Sequence, residues 1–368
     1  MKILRVTSDL YPFVVGGLGL HTHEMSKSQA IQGHDVTVLT FIKNKGEFIP
    51  NSLYKIIKIK NYFTLFGNTL SLSFVFDFYK IHSDFDIIHA HSHLFFTTNV
   101  CAAIRRFNAI PLIITNHGLF SQTAPDWVQR LFIPTIAKWT FKSADKIICY
   151  TPYEKNQLID LGIDIDKIAV INNGIDTELF IPKDIRAKKK NILWIGRYTP
   201  GKGVHHLIDA FVLVLQRHPD AHLLMIGDGP QMEEIQQKIQ KLDISRYITQ
   251  KTFVSNEDLP AEYQNSDIFV LPSLSEGFPR TILESMASGT PVVCTDFPQI
   301  VDLVDNAGLL VPACNPEAIA SAIIKILDNP ELAAELGKNG AERVAKNYSW
   351  KDTVSRTLKL YEEVLCRK

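Results

Sequence analysis

Short runs of Val, Ile and Leu alternate with amphipathic helical patterns along the whole chain. Such an alternation is typical of βαβ units, in which helices connect the parallel strands of one sheet. The predicted strands are residues 3–7, 35–41, 56–59, 87–90, 112–115, 146–149, 168–171, 191–195, 222–226, 248–253, 268–271, 291–294 and 308–311. The sequence therefore predicts a doubly wound α/β architecture, in which ligands bind beyond the carboxyl ends of the strands.

The chain has 368 residues, which is long enough for two domains of ordinary size. A turn signal, Asn173-Gly174, lies near the middle and is followed by the polar, basic segment 182–190. We therefore predict a first domain at residues 1–172 and a second domain at residues 173–347. Residues 348–368 are assigned to a C-terminal segment, with an amphipathic helix predicted at about residues 350–365.

Charge and cysteine content limit the classes of function. The formal net charge is zero, so bulk electrostatics indicate no nucleic-acid partner. The five cysteines are scattered and form no Cys-x-x-Cys pair, which favours free thiols in a reducing, cytoplasmic compartment. We interpret the N-terminal residues as a strand and not as a signal peptide. The sequence contains no run of about 18 apolar residues, so we predict no transmembrane helix.

The stretch 271–295 combines two carboxylates with the start of a predicted helix, which begins at Pro279 and stops at Gly289. A helix N-terminus has free N–H groups and suits a phosphate. Carboxylates suit vicinal hydroxyls, because each oxygen can accept hydrogen bonds from them. Glu276 at the sugar and Glu284 at the ribose would then form a sugar-nucleotide site. Two surface glutamates are the plainer alternative.

The segment 196–203 follows the first predicted strand of the second domain and precedes a helix. It carries Arg197 and Lys202 on a turn rich in Gly and Pro. Arg can bind two phosphate oxygens at once, and Lys adds a compact point charge. The pattern therefore predicts a diphosphate clamp, with a basic surface loop as the alternative.

Gly16 and Gly17 belong to a glycine-rich run, residues 15–19, between the first strand and the first helix. Glycines let the backbone approach a ligand closely, and a phosphate could bind at the helix start. A ligand-free turn is the alternative. A dinucleotide site would need a glycine where Thr22 stands and an acid at the end of strand 35–41, which ends in Val-Leu-Thr-Phe. A dehydrogenase is therefore disfavoured.

Histidines cluster after two predicted strands of the first domain. His89, His91 and His93 alternate, which places them on one face and superficially suggests a metal site. No acid or cysteine stands close in sequence to complete such a site, so we predict no metal. His117 follows the strand 112–115, at the edge where ligands bind, and is a candidate site residue.

The run SEGFPRTILESMASGTPVV, residues 275–293, resembles the donor-site signature of the retaining glycosyltransferases of family 4, in which two Glu are separated by seven residues. The resemblance extends over nearly the whole chain. It implies the GT-B fold, with two Rossmann-like domains facing a central cleft and a C-terminal helix that crosses back to the first domain. It also implies transfer of a hexosyl group from a UDP- or GDP-sugar to an acceptor hydroxyl with retention of anomeric configuration.

The same resemblance implies a set of site residues. The implied catalytic residues are His117, Arg197, Lys202 and Glu276. The implied donor-binding residues are Gly16, Gly17, Val254, Gly277, Phe278, Arg280, Thr281 and Glu284. Many relatives have Gly where this chain has Pro279, which cannot donate an N–H, so a phosphate contact must come from its neighbours. Fixed cations stabilise the leaving group, so neither a metal nor another cofactor is expected, and the nucleotide sugar is a substrate.

Other activities are compatible with parts of this pattern. A hydrolase would use Glu276 and Glu284 as an acid–base pair about 5–10 Å apart, but it would leave Arg197 and Lys202 without a role. A sugar-nucleotide-binding protein or a sugar-nucleotide epimerase on the same fold would keep the donor site. The acceptor stays open between glycans, lipid-linked molecules and small molecules.

Two basic and aromatic segments of the first domain, residues 55–66 and 127–144, are candidates for contact with a lipid surface. If the acceptor is a lipid, they would place the protein peripherally on the inner face of the membrane. Packed, solvated elements are the plainer alternative.

Overall fold

The computed structural model describes residues 1–11, 16–41, 53–60, 62–65, 68–121, 124–182 and 189–366. Val15 of the glycine-rich run, Asn61 and Phe66 of segment 55–66, and residues 183–188 of the polar segment lie outside the described residues. The chain forms two compact units. Met1–Asn172 and Asp352–Lys368 make the first, and Asn173–Lys351 makes the second.

The first unit contains a seven-stranded parallel sheet with the order β3-β2-β1-β6-β7-β8-β9, and a separate β4–β5 hairpin. Its strands are β1 (Lys2–Val6), β2 (Asp35–Phe41), β3 (Lys55–Ile59), β4 (Phe63–Leu65), β5 (Asn68–Leu70), β6 (Ile87–His91), β7 (Leu112–Thr115), β8 (Lys146–Cys149) and β9 (Ile168–Val170). Its helices are α1 (Gly17–Ile31), α2 (Leu72–Ile81), α3 (Phe96–Arg105), α4 (Asp126–Phe132), α5 (Lys138–Ser143) and α6 (Pro152–Asp160). The π-helical turn Ile133–Ala137 joins α4 to α5.

Alternate residues of each strand point to the same face of the sheet, and on one face of this sheet those residues are apolar. Leu4 and Val6 of β1 belong to a buried cluster that also includes residues of α2, α3, α5 and α6. Phe74, Phe78 and Phe141 are its large helical members, and all three are fully buried. Each such side chain contributes about 1.5–3 kcal/mol relative to an exposed position. This face provides the main hydrophobic stabilisation of the first unit.

The opposite face of the same sheet is buried and polar. Arg5 is fully buried, and its guanidinium donates to Ser26 Oγ at 3.3 Å and to Gln29 Oε1 at 2.7 Å, both on α1. It also donates to the hydroxyl of Tyr361 at 3.2 Å. That hydroxyl contacts His89 Nδ1, and His89 Nε2 lies 2.7 Å from Thr115 Oγ1. Hydrogen bonds therefore hold α1 and the C-terminal helix on this face.

The second unit contains a six-stranded parallel sheet with the order β12-β11-β10-β13-β14-β15. Its strands are β10 (Asn191–Ile195), β11 (His222–Ile226), β12 (Ile248–Lys251), β13 (Ile268–Leu271), β14 (Val292–Thr295) and β15 (Gly308–Val311). Its helices are α7 (Val204–Arg217), α8 (Met232–Lys241), α9 (Leu259–Gln264), α10 (Arg280–Ala287), α11 (Pro298–Val304), α12 (Pro316–Asp328) and α13 (Pro330–Asn347). The last helix, α14 (Trp350–Leu365), belongs to the first unit from Asp352 onward.

Both sheets reverse their strand order at one position, beside β1 in the first unit and beside β10 in the second. In the second unit β10 lies between β11 and β13, and the helices that follow β10 and β13 pack in two different buried clusters. The loops after these two strands therefore diverge to opposite faces and leave a crevice at the carboxyl edge. The topology thus places segments 196–203 and 272–279 side by side.

The predicted fold class is confirmed, and every predicted strand is present. The predicted strand 248–253 is shorter than expected and ends at Lys251, and α10 begins one residue after the predicted start at Pro279. The β4–β5 hairpin was not predicted, and within segment 127–144 the π-helical turn lies between α4 and α5. Among the described residues, no helix is long and apolar enough to cross a membrane.

Candidate active site

The two loops at the strand-order reversal of the second unit are joined by backbone contacts. Leu274 donates its N–H to the carbonyl of Gly201 at 2.8 Å. Gly203 has a φ of 62°, and a Cβ there would lie 2.0 Å from the carbonyl oxygen of Pro272. Only glycine fits at this point of contact, because the backbone conformation and the space both exclude a side chain. Lys202 is thereby held against the loop that carries Glu276.

Lys202 and Glu276 form an ion pair between the two loops. The Nζ atom of Lys202 lies 2.5 Å from Oε1 of Glu276, and the two side chains are 16% and 6% exposed. Ser273 Oγ donates to the same carboxylate oxygen at 2.6 Å, and Gln299 Nε2 donates to the Glu276 carbonyl at 2.6 Å. The structure therefore brings together a cation predicted for the diphosphate and the carboxylate predicted for the sugar.

Arg197 lies at the carboxyl end of β10 and is exposed. Its neighbours are anchored, because Gly196 donates to Ile226 O at 3.0 Å and Tyr198 donates to Asp228 O at 3.0 Å. Within the described part of the chain, the guanidinium of Arg197 has no ion-pair or hydrogen-bond partner. A rigid backbone thus presents an unpaired cation beside the Lys202 loop.

No described side chain caps the N-terminus of α10. The N–H groups of Arg280 and Thr281 have no acceptor within the helix, as in the first turn of any α-helix. Gly277 and Phe278 are half-buried in the loop before it, and the Phe278 ring lies 6.2 Å from that of Tyr348. The helix start can therefore bind an anion.

Glu284 is buried one turn further along α10, and both of its carboxylate oxygens accept hydrogen bonds. The hydroxyl of Tyr263 donates to Oε2 at 2.9 Å, and Nε of Arg280 donates to Oε1 at 3.1 Å. The Arg280 guanidinium lies 5.8 Å from the centre of the Trp350 ring, and its Nη1 has no hydrogen-bond partner among the described residues. The Arg280 side chain is thus directed toward Glu284.

Val254 follows β12 and lies in a turn that leads into α9. It is half-buried and packs against the same cluster as Phe278. Ser255 Oγ donates to Asp258 Oδ2 at 2.6 Å and closes the turn. The structure therefore places Val254 at the carboxyl edge of the sheet, where Arg197 also lies.

In the first unit, Gly16 and Gly17 are exposed at the start of α1. A Cβ at either position would meet no described residue within 4 Å. One turn later, the buried ring of His21 lies 5.5 Å from the ring of His117. The glycine-rich helix start and His117 are therefore neighbours at one edge of the sheet.

His117 is enclosed by other rings. Its Nε2 lies 3.1 Å from His91 Nδ1, and its Nδ1 lies 3.1 Å from the hydroxyl of Tyr150. Burial, and after it the charges of His21 and His93, hold the pKa of His117 well below its ordinary value. The ring is therefore neutral at neutral pH and acts as a hydrogen-bonding group.

The three alternating histidines have different surroundings. The rings of His89 and His91 stack with centroids 4.5 Å apart, as expected for the same face of β6. His93 lies beyond the strand, where its Nε2 is 3.2 Å from Leu119 O and its ring packs against Phe141. The described residues include no group of three or more His, Cys, Asp or Glu side chains that could hold a metal ion. The hydrogen bonds and ring contacts of these histidines form a buried layer.

Sequence reasoning did not identify Tyr263, Tyr150 or the pairing of Arg280 with Glu284. Tyr263 belongs to a short helix with no recognisable pattern, and it is 21 residues from Glu284. The Arg280–Glu284 pair has i,i+4 spacing, which was available as a signal for a helical ion pair.

Comparisons with known proteins follow the same division. A family model described as "Glycosyl transferases group 1" matches residues 176–343, and one described as "Glycosyltransferase Family 4" matches residues 15–179. An uncharacterized glycosyltransferase of Methanocaldococcus jannaschii is 30% identical over 376 residues, which cover 99% of this chain and 99% of the relative.

Solved structures show the same fold. Sucrose-phosphate synthase from Thermosynechococcus elongatus has a TM-score of 0.85 at 23% identity, with 100% of both chains covered. Anabaena Alr3699/HepE, in complex with UDP and glucose, has a TM-score of 0.80 at 20% identity, with 98% of this chain and 99% of that chain covered. Both likenesses support the GT-B fold.

Proposed function

The chain belongs to glycosyltransferase family 4, and we propose that it moves a hexosyl group from a UDP- or GDP-sugar to an acceptor hydroxyl with retention of anomeric configuration. The observation that carries this proposal is the Lys202–Glu276 ion pair at the strand-order reversal of the second unit. It lies in a loop pair that also presents the unpaired cation of Arg197 and precedes the uncapped start of α10. Cations, free amides and a carboxylate together suit a sugar diphosphate.

In this proposal the donor diphosphate lies against Arg197, Lys202 and the first amides of α10. Negative charge develops on the leaving phosphate as the glycosidic bond breaks, and these fixed donors stabilise it. The acceptor hydroxyl attacks from the face that the diphosphate leaves, and the leaving phosphate takes the acceptor proton. We expect no metal ion to be required, because side-chain cations supply the positive charge.

Glu276 would accept hydrogen bonds from hydroxyls of the transferred sugar. Its pairing with Lys202 and Ser273 holds the carboxylate in place. A hydrolase would need a protonated carboxylic acid to donate to the leaving group. A carboxylate that is ion-paired with Lys202 is poorly suited to that role, so the geometry favours transfer over acid-catalysed hydrolysis.

His117 and the glycine-rich start of α1 would contribute from the first unit, as the family resemblance implies. The ring contact between His21 of α1 and His117 supports a substrate position at this edge. The loop after His117 continues to a cavity of about 300 Å³, lined by Phe120, Asp126, Gln129, Arg130, Ile133 and Pro134. We propose that this cavity accommodates part of the acceptor.

Exposed apolar side chains support a peripheral contact of the first unit with the cytoplasmic face of a membrane. Phe63, Trp127 and Leu131 belong to the two segments that the sequence indicated, and each is more than 60% exposed. Leu72 and Phe76 on α2 add to them at 79% and 66% exposure. Rows of large apolar side chains with basic neighbours are typical of interfacial contact.

A thermal-shift experiment with UDP, GDP and ADP tests the donor site. Ligand at about 100 times its dissociation constant should stabilise the folded state by about 2.7 kcal/mol. We expect one diphosphate to raise the melting temperature of the wild type and not that of Arg197→Ala/Lys202→Ala. If none of the three stabilises the wild type, the proposed donor site is wrong.

A further inference from the structure

Tyr263 places its hydroxyl on the carboxylate that we assign to the ribose. It is fully buried, and its ring packs edge-on against Phe180 and Phe269 with centroids 6.1 and 5.6 Å away. The hydroxyl donates to Glu284 Oε2 at 2.9 Å, while Arg280 Nε donates to Oε1 at 3.1 Å. Each oxygen of this carboxylate therefore holds one donor from the protein.

Two acceptor positions remain on the Glu284 carboxylate. An ionised carboxylate has about four lone-pair sites, roughly two on each oxygen. Tyr263 occupies one site on Oε2 and Arg280 occupies one site on Oε1, so about one site is left on each oxygen. Two acceptor sites on adjacent oxygens match the two vicinal hydroxyls of a ribose. The side chain is 4% exposed, so a ligand would meet only the edge of the carboxylate.

Tyr263 is itself firmly held. Its carbonyl accepts a hydrogen bond from Thr290 Oγ1 at 2.8 Å. Burial, and then the nearby Glu284 carboxylate, raise the pKa of Tyr263 well above its ordinary value, so the hydroxyl stays a donor. Tyr263 lies on α9, directly after the turn that carries Val254. One residue thus links the turn expected at the nucleobase to the carboxylate expected at the ribose.

We propose that Tyr263 is a positioning residue for donor binding, which holds Glu284 so that its two remaining acceptor sites bind the 2′- and 3′-hydroxyls of a nucleoside diphosphate. The inference rests on the proposed function, because it requires a nucleotide in this site. If Tyr263 positions Glu284, its effect on nucleotide affinity should depend on the ribose hydroxyls. A purely structural role of Tyr263 would affect all nucleotides equally.

Calorimetric titration of Tyr263→Phe tests this dependence. The ligands are whichever of UDP, GDP and ADP stabilises the wild type, and the 2′,3′-dideoxy form of the same diphosphate. We expect Tyr263→Phe to weaken binding of the ribonucleotide about tenfold, the order of one hydrogen bond to a charged group. Binding of the dideoxy form should change by less than about twofold, because it lacks the hydroxyls that Glu284 would bind.

Tyr247→Phe is the matched control in the same unit. Tyr247 is half-buried under Arg246, whose guanidinium lies 4.8 Å from the ring centre. Its hydroxyl has no hydrogen-bond partner among the described residues, so its removal should leave the binding of both nucleotides unchanged. Circular dichroism at the titration temperature establishes that each variant is folded.

A second variant keeps the inference open to refutation if Tyr263→Phe is unstable. In Glu284→Gln, the preference for the ribonucleotide over its dideoxy form should fall, and adding Tyr263→Phe should lower it no further. An equal loss of affinity for both nucleotides, or a ribose preference that Tyr263→Phe leaves intact, would overturn the role of Tyr263 alone. If the wild type binds none of the three diphosphates, the proposed function fails and this inference fails with it.

Discussion

The ammonium group of Lys202 lies 2.5 Å from the Glu276 carboxylate, across two loops that leave neighbouring strands β10 and β13. Both side chains are largely removed from solvent, and Ser273 supplies a further hydrogen bond to the same oxygen. The arrangement neutralises a cation and an anion that are each costly to bury alone. It also means that a bound diphosphate would share Lys202 with Glu276.

Lys202→Met should reduce both stability and ligand binding. Removal of one partner leaves the Glu276 carboxylate without its counter-ion, which should cost about 3 kcal/mol of unfolding free energy. Loss of the cation should weaken diphosphate binding by about tenfold or more. Urea denaturation and calorimetric titration measure the two effects separately.

The double variant Lys202→Met/Glu276→Gln separates these effects. It removes both charges, so the unfolding free energy should recover to within about 1 kcal/mol of the wild type. Diphosphate binding should stay weak, since the cation is still missing. A Lys202→Met protein as stable as the wild type would contradict the proposed importance of the ion pair.

Arg197→Ala should weaken diphosphate binding without loss of stability. The side chain is exposed and has no partner among the described residues, so the unfolding free energy should change by less than about 0.5 kcal/mol. Charge-assisted hydrogen bonds to phosphate are strong, so affinity should fall about tenfold to a hundredfold. Arg246→Ala, which removes another exposed cation of the same unit, is the control. Equal binding by both variants would exclude Arg197 from the phosphate site.

Gly203→Ala should destabilise the second unit, whereas Gly201→Ala should not. The two glycines flank Lys202, which makes them a matched pair. Gly203 has a φ of 62° and would direct a Cβ to 2.0 Å from Pro272 O, while a Cβ at Gly201 would meet no described residue within 4 Å. Strained backbone of this kind costs about 1–3 kcal/mol before the clash is counted. Melting temperatures of both variants, measured with and without diphosphate, decide whether the loop contact holds Lys202 in place.

The parallel strands were predictable because their signal is local. Apolar runs such as Leu112–Thr115 and Ile268–Leu271 are completely buried, and each is a short apolar block in the sequence. The β4–β5 hairpin was missed because its two strands have three residues each, and β4 is exposed throughout. Three residues are too few to establish a period of two, and exposure removes the pattern of burial.

The site was predictable as a set of residues but not as a set of contacts. The motif indicated Lys202 and Glu276 separately, but they are 74 residues apart, and only the adjacency of β10 and β13 brings them together. His89 was visible in its alternating run, whereas its contact with Tyr361 spans 272 residues. Contacts of this kind depend on strand order, and one sequence does not encode strand order locally.

Phe76→Ser on α2 should reduce binding to anionic vesicles if the first unit contacts a membrane. The Phe76 side chain is 66% exposed, so its removal should leave the melting temperature nearly unchanged. Flotation with vesicles of phosphatidylglycerol and phosphatidylcholine measures binding, and Tyr153→Ser, at a 38% exposed position on α6, is the control. If the wild-type protein does not float with the vesicles at low salt, the proposed peripheral contact is wrong.

The buried histidine layer should make the first unit sensitive to acid. Burial lowers the pKa of His89 and His91 well below the ordinary value, and the charge of Arg5 lowers both further. Burial lowers the pKa of His93 to about 4. These rings are neutral when folded and take up protons when unfolded. The stability that these neutral, buried rings contribute to the first unit is therefore fully present above the unfolded pKa of about 6.5. It is lost as the pH falls from there toward the folded pKa values.

Hydrogen exchange at pH 7.5, 6.5 and 5.5 measures this loss segment by segment, after correction for the intrinsic pH dependence of exchange. Each histidine should lower the opening free energy by about 1.4 kcal/mol for each pH unit below pH 6.5. Amides of β6 and β7 should therefore lose protection steeply, while those of β13 and β14, which contain no histidine, serve as the control within the same molecule. His93→Gln removes one titrating group, so the slope for β6 and β7 should fall by about 1.4 kcal/mol per pH unit between pH 6.5 and the folded pKa. Equal slopes in the two sheets would contradict a lowered pKa of these histidines in the folded first unit.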